Sequence, residues 1–284
     1  MKVLFLFIDG VGVREAAPDN PINPEVCPTL YRLMTKHSKS IDACLGVPGL
    51  PQSATGQATM FTGVNCAAAM GRHCEGFPGP ELRKIVQEKN IFLELKARGK
   101  KVKFADAYLV GSPDELEFRR FKSVTTVMAL STPETVSTTE ELLNGKAVLQ
   151  DLTRETIQDT FPDVPVIPPQ RAAEQLFSIA RDYDFTLFEF FQTDVSGHSQ
   201  DYIRACSVLR TYDRFLSSLV HYTEASGITL VITADHGNIE CVTERGHTLN
   251  PVPFIVFGPN EQTLRDHVSS LTDVTPALLE QFDL

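Results

Sequence analysis

Three aspartates and three histidines lie beside apolar runs in this chain, and a serine falls between them. Asp9 follows the run from Lys2 to Ile8, Asp194 and His198 follow Phe185 to Phe191, and Asp235 and His236 follow Thr229 to Ala234. His247 precedes a fourth apolar run, Pro251 to Phe257. A carboxylate taken out of water is costly unless it is paired or metal-bound, so acids gathered at the ends of buried strands point to an ion site. Three carboxylates and three imidazoles are enough for two divalent ions. Zn²⁺ and Mn²⁺ take this mixed nitrogen and oxygen set, and Mg²⁺ is admissible. Paired ions about 3.5–4 Å apart suit in-line displacement at phosphorus, because they stabilise both the attacking and the leaving oxygen.

Ser53 opens the stretch Ser53-Ala-Thr55-Gly-Gln57, just after Pro48-Gly-Leu-Pro51. A helix starting near Ser53 leaves free backbone N–H groups and the positive end of its dipole there, an arrangement that favours an anion. Ser53 or Thr55 serves equally well as an N-cap, a common role for both residue types. Nucleophile and cap are both open on these residues alone.

The elements that must position these groups follow from periodicity. The all-apolar runs read as strands buried on both faces of a parallel sheet, and in open α/β sheets ligand chemistry collects at the carboxyl ends of the strands. Apolar spacing predicts helices over 29–36, 80–89, 91–98, 170–182, 201–224 and 272–282, the last with Pro276 near its first turn. A strand begins at Val102 and runs to Ala105. Pro251 and Pro253 suggest that the last apolar run is an edge strand or that they mark its start. Asp194 and His198, four residues apart, would share one face of a helical turn and reach one ion. Residues 106–169 break the pattern, with many threonines and the basic group Arg119, Arg120 and Lys122. They read as a small inserted cap, partly strand over 123–130 and partly helix around 153–159. The fold class expected is α/β, a three-layer α/β/α core (1–105 and 170–284) around a mainly parallel central sheet, with the cap inserted.

Bulk properties narrow the function. The 284 residues are 42% hydrophobic, enough to bury one large α/β core with room for a small insert. The net charge of −10 argues against nucleic acid, which needs a basic face. The same charge repels an anionic substrate unless bound cations reverse the sign at the site. None of the six cysteines forms a CxxC pair, which fits idle thiols of a reducing compartment. Lys2 and the run after it resemble the start of a signal peptide, but the run stops at Asp9 without a small-residue cleavage site. No stretch approaches the roughly 20 apolar residues of a membrane span. A cytoplasmic protein with a small-molecule substrate and no nucleic-acid or membrane partner is expected; nothing in the sequence fixes an oligomeric state.

The segments Phe7-Ile-Asp-Gly-Val-Gly12, Ser53-Ala-Thr-Gly-Gln57, Thr193-Asp-Val-Ser-Gly-His198, Thr233-Ala-Asp-His-Gly-Asn238 and His247-Thr-Leu-Asn-Pro-Val-Pro253 resemble, in order, the metal-site motifs of the alkaline phosphatase superfamily. The likeness is greatest to the branch of cofactor-independent phosphoglycerate mutase and phosphopentomutase. The resemblance implies that Asp194, His198 and His247 hold one metal, and that Asp9, Asp235, His236 and the Ser53 oxygen hold the other. It also implies that Ser53 is phosphorylated transiently, with Thr55 as the alternative if the register slips by two.

Two departures bear on the reaction. The mutases usually carry His where this chain has Gln57, and their insert is much larger. A mutase must keep its dephosphorylated intermediate under a closing, water-excluding cap. Hydrolysis of a small phosphorylated molecule, first of all a phosphomonoester, through a phosphoseryl intermediate is therefore expected. A phosphomutase, a phosphodiesterase or phosphonate hydrolase, and a catalytically silent metal-binding protein are the alternatives. Gln57, Arg72, His73, Arg119 and Arg120 are the candidates for holding the substrate, arginine because it can contact phosphate bidentately. The run Phe185 to Phe191 reads as ordinary core.

Overall fold

The computed structural model describes residues 1–283. Six strands form one sheet in the order β2-β6-β5-β1-β4-β3. They are β1 (Lys2–Ile8), β2 (Ser38–Ile41), β3 (Val102–Phe104), β4 (Phe185–Phe190), β5 (Ile228–Thr233) and β6 (Val252–Phe257). β3, β4, β1 and β5 run parallel, while β6 is antiparallel to both of its neighbours. The central strands β1, β4 and β5 are buried almost throughout, as uninterrupted apolar runs require when both faces are covered.

Helices cover both faces. The helices Ser53–Thr62, Pro80–Glu88, Ile91–Ala97, Val124–Leu130 and Leu271–Asp283 pack together on one side, and Pro28–Lys36, Pro169–Asp182 and Tyr202–Thr223 on the other. Alternation along β1 and β4 sorts the aromatic core accordingly. Phe5 and Phe7 meet Phe61 of the Ser53 helix, at 5.9 Å in both cases. Phe188 and Phe190 meet Phe215 and Tyr212 of the long Tyr202–Thr223 helix. Each fully buried ring of this kind contributes about 1.5–3 kcal/mol relative to exposure. No helix among the described residues is long and apolar enough to cross a membrane.

Two local expectations are corrected. Residues 124–130 are helix rather than strand: Ser123 caps them by accepting from Thr126 N at 3.1 Å, and Val124, Val127 and Met128 are buried. That local cap and helical burial override the strand preference of the β-branched residues. The helix expected around 153–159 is a single 3₁₀ turn, Glu155–Ile157. The Asp151 carboxylate collects Thr153 N, Arg154 N, Thr156 N and the Thr156 hydroxyl, and such side-chain competition for backbone donors stops a helix. Of the two readings of Pro251 and Pro253, strand entry holds and edge does not: β6 begins at Val252, between the prolines, and is flanked by β2 and β5. Its Pro253 is tolerated because pairing with β5 ends at Thr233 and Phe254, one residue short of it. Pro276 is the sixth residue of the Leu271–Asp283 helix, just past its first turn.

Residues 106–169 leave the sheet after β3 and return at the Pro169–Asp182 helix. A small apolar cluster of their own joins Leu142, Leu149, Ile157 and Val164. Val124, Val127, Met128 and Val148 instead belong to the main core.

Candidate metal centre

Strand register brings the acids together. Ile8 is opposite Phe190, and Phe7 is opposite Thr233, so Asp9 and Asp235 leave neighbouring strands at one level. Thr193 Oγ1 donates to Asp9 O at 2.6 Å, tying the helix Gln192–His198 to the end of β1. That helix carries Asp194 and His198 on one face, with His198 Nε2 3.3 Å from Asp194 Oδ2. Gly10 has φ +68°, and a Cβ on it would lie 2.6 Å from Asp194 Oδ1. Only glycine accepts both the left-handed backbone and the close approach.

Two overlapping groups result. Asp194, His198 and His247 each offer a ligand atom within 4.8 Å of the others, and so do Asp9, Asp194 and His236. Asp194 is common to both, whereas the resemblance assigned it to one. His247 Nδ1 donates to Pro51 O at 2.8 Å, which turns Nε2 toward His198 Nε2 (3.2 Å) and Asp194 Oδ1 (3.7 Å). His236 Nδ1 faces Gly237 O at 3.4 Å, which turns Nε2 toward Ser53 Oγ (3.0 Å), Asp9 Oδ1 (3.4 Å) and Asp235 Oδ2 (3.5 Å). Asp235 is fully buried, and it also accepts from Gly10 N and from the Gln57 amide.

Electrostatics shows what this arrangement lacks. Burial, then the charges of Asp235 and Asp194, hold the Asp9 carboxyl well above the ordinary carboxylate range. Burial, then Asp194, pushes Asp235 up to about 7. Burial, then His247, pushes His236 down to about 3. The protein alone thus opposes both carboxylate charge and imidazolium, and Asp9 Oδ1 is buried without a hydrogen-bond partner. Carboxyls so placed hold their protons until a cation stands among them, and a divalent ion there favours the ionised form. The residues fit divalent metal on these grounds, and the mixed nitrogen and oxygen donors suit Zn²⁺ or Mn²⁺.

Ser53 is the first residue of its helix, behind Gln52 as N-cap. Its hydroxyl therefore does not cap, and it meets His236 instead. Thr55 is fully buried; its hydroxyl donates to Gln52 O and accepts from Cys74 N, away from the His236 ring. Gln57 is buried and donates to Asp235 Oδ2 (3.2 Å) and Asp9 Oδ2 (3.5 Å), so its amide serves the carboxylates. A cavity of about 520 Å³ opens from Asp9, Ser53 and Asp194, and Arg119 lines it from the exposed rim. Arg120 is not on that wall; its guanidinium lies over the Phe121 ring at 5.1 Å. Lys122 donates to the carbonyls of Glu117 and Arg119. Arg72 and His73 line a neighbouring cavity of about 730 Å³ rather than this one, with His73 Nε2 3.1 Å from Val47 O.

Three further acids shape the site and went unremarked in the sequence. Glu240, fully buried, accepts from Gly12 N and Asn238 N (both 2.8 Å), Thr248 Oγ1 (2.5 Å) and Asn250 Nδ2 (3.0 Å). It binds together the loops that carry Asp9, His236 and His247. Asn238 in turn donates to Asp194 Oδ1 at 2.7 Å. Glu189 and Asp106 line the cavity, and burial pushes Glu189 up to about 7. The signal for Glu189 was present as the single acid in the run Phe185 to Phe191.

A 2,3-bisphosphoglycerate-independent phosphoglycerate mutase of Mycoplasma genitalium is 28% identical over 131 residues, 44% of this chain and 25% of that protein. The chain spans about a quarter of the length of the curated relatives it matches. Among solved structures, the cold-active alkaline phosphatase of a psychrophilic Shewanella superposes with a TM-score of 0.60 at 11% identity, covering 99% of both chains. Leishmania mexicana phosphoglycerate mutase superposes with a TM-score of 0.51 at 10% identity, covering 98% of this chain and 94% of that one. These likenesses show a shared alkaline phosphatase-like fold. The sequence profile of the Metalloenzyme superfamily matches residues 1–284, and the chain belongs to that superfamily.

Proposed function

We propose that this chain is a two-metal phosphohydrolase that acts on a small phosphate monoester through transient phosphorylation of Ser53. The observation that carries the reading is the position of the Ser53 hydroxyl. It stands at the first residue of a ten-residue helix, 3.0 Å from His236 Nε2, on the wall of the cavity that also exposes Asp9 and Asp194. The N-terminus of that helix gives the phosphoryl group a positive potential independent of any side chain.

Asp194, His198 and His247 would hold one ion; Asp9, Asp194 and His236, with Asp235 beside them, the other. Zn²⁺ or Mn²⁺ bound there supplies positive charge against the phosphoryl oxygens and favours the deprotonated serine. The residues of the chain do the positioning. His236, held neutral by burial, keeps the Ser53 oxygen beside the Asp9 and Asp194 group. Gln57 holds the two buried carboxylates Asp9 and Asp235 in place. Residues 106–169 act as the cap: Asp106, Tyr108, Arg119, Leu149 and Ile157 line the cavity along with Ser53.

A phosphomutase is the second reading, favoured by the names of the curated relatives. One experiment separates the two. Protein loaded with Mn²⁺ or with Zn²⁺ is given 4-nitrophenyl phosphate and a panel of phosphorylated small molecules, and both free phosphate and isomerised product are measured. Free phosphate from a monoester supports hydrolysis; isomerisation with no phosphate released would replace the hydrolase with the mutase.

A further inference from the structure

The far wall of the cavity has chemistry that a second anionic group does not fit. Glu189 and Asp106 both line it and both are more than nine-tenths buried. Glu189 N donates to Asp106 Oδ2 at 2.8 Å, and Thr125 Oγ1 donates to Glu189 Oε2 at 2.6 Å. Glu189 Oε1 has no hydrogen-bond partner among the described residues, and no Lys, Arg or His there pairs with either acid. Burial raises both carboxyls, and a cation brought to this wall by a ligand favours their ionised form. The same wall carries the rings of Phe104 and Tyr108, 5.9 Å apart, and that of Phe191. Aromatic faces beside carboxylates are the chemistry that holds an alkylammonium group. The one cation on the lining, Arg119, lies at the exposed rim.

We infer that the cavity takes a phosphate monoester whose organic part carries a protonated amine, with the phosphoryl group toward Ser53 and the ammonium toward Glu189 and Asp106. This rests on the reading above that the phosphoryl end sits at Ser53. A substrate with a second anionic group, such as a phosphorylated carboxylic acid, opposes ionisation of the two acids, finds no buried cation on that wall and is disfavoured. Glu189 is a specificity residue in this account and takes no part in bond making. Thr125, from the insert, positions it.

The test uses three phosphonates of similar length, whose C–P bond ester hydrolysis leaves intact: 2-aminoethylphosphonate, propylphosphonate and 3-phosphonopropionate. Their dissociation constants are measured by calorimetry on the Mn²⁺-loaded full chain. The amine is expected to bind about tenfold tighter than the propyl compound, the worth of one charge-assisted hydrogen bond, and the carboxylate weakest of the three. Glu189→Gln, nearly isosteric, is expected to bring the amine-to-propyl ratio to within about threefold of unity. Asp106→Asn provides a second variant, and thermal unfolding of both checks that they fold. An amine that binds no tighter than the propyl compound, or a preference that survives both substitutions, overturns the inference. Turnover of 4-nitrophenyl phosphate is followed in parallel. Turnover without amine preference sinks the inference and leaves the hydrolase standing; amine preference without turnover of any ester does the reverse.

Discussion

The imidazole rings of His236 and His247 lie face to face, 3.6 Å between centroids and 13° from parallel. Each is anchored through Nδ1 to a backbone carbonyl, Gly237 O and Pro51 O, so both present Nε2 to the group around Asp194. Two imidazolium ions would repel in this stack, and burial together with His247 holds His236 down at about 3. The stack therefore keeps His236 a neutral donor, the protonation state that metal ligation requires.

Replacing His247 by Ala tests this arrangement. The variant is expected to lose about one of two bound ions, because a three-residue site is left with two ligands. His236 loses its stacking partner at the same time, so affinity at the second site also falls. Metal analysis of purified protein provides the measurement, and full occupancy in the variant would remove His247 from the centre.

Ser53→Ala tests the nucleophile. The hydroxyl touches His236 Nε2 and caps nothing, so its removal should leave folding and metal content close to normal. Turnover of phosphate monoesters is expected to fall at least about a thousandfold, and trapping of labelled phosphate on the protein should vanish. A variant that still takes up label would move the covalent step to another residue. Thr55 is a poor substitute, since its hydroxyl is already shared between Gln52 O and Cys74 N.

What the sequence made legible follows from how each signal is written. Asp9 and Asp235 stood out because uninterrupted apolar runs stop at them, and such runs are the least ambiguous strand signal. The spacing of Asp194 and His198 likewise carried over directly to one helical face. The cap segment was harder. Val124 to Leu130 is rich in β-branched residues, and only the Ser123 cap with burial at Val124, Val127 and Met128 makes it a helix. Glu189 and Glu240 were passed over for another reason. Their roles come from partners outside their own elements, Thr125 for one and Gly12, Thr248 and Asn250 for the other. No spacing rule links residues more than 200 positions apart, as Gly12 and Glu240 are.

The carboxyls of the site make the response to pH depend on metal. Asp235 and Glu189 are pushed up to about 7 by burial, and Asp9 is raised in the same direction. Between the ordinary and the raised value, the folded protein binds protons that the unfolded chain does not, so metal-free protein gains stability as pH falls through about 7. His236 acts the other way: below about 6.5 the unfolded imidazole takes up a proton that the folded one, held down at about 3, refuses. Chelated protein is therefore expected to melt higher at pH 6.5 than at pH 8. With saturating Mn²⁺ the order should invert, because protons then compete with a ligand that binds only the folded state. Thermal unfolding at the two pH values, with and without metal, checks both signs. Identical profiles would mean that no ion occupies the acids.

Glu240 provides the sharpest separation of positioning from ligation. Its carboxylate is fully buried and receives donors from Gly12, Asn238, Thr248 and Asn250, yet it belongs to neither ligand group. Glu240→Ala leaves two backbone N–H groups and two side-chain donors facing a void. The expected cost is about 3 kcal/mol or more, since unsatisfied buried donors cost about 1–3 kcal/mol each. In a chain of this size that lowers the melting temperature by about 6–12 °C. Metal affinity should fall as well, because Asn238 steers Asp194 at 2.7 Å and Thr248 adjoins His247, and partners of this kind are worth about 10–100-fold in affinity. Glu240→Gln, which keeps an acceptor for the two N–H groups, should recover most of the stability. A Glu240→Ala protein with normal melting and normal metal content would show that the three loops hold their places without it.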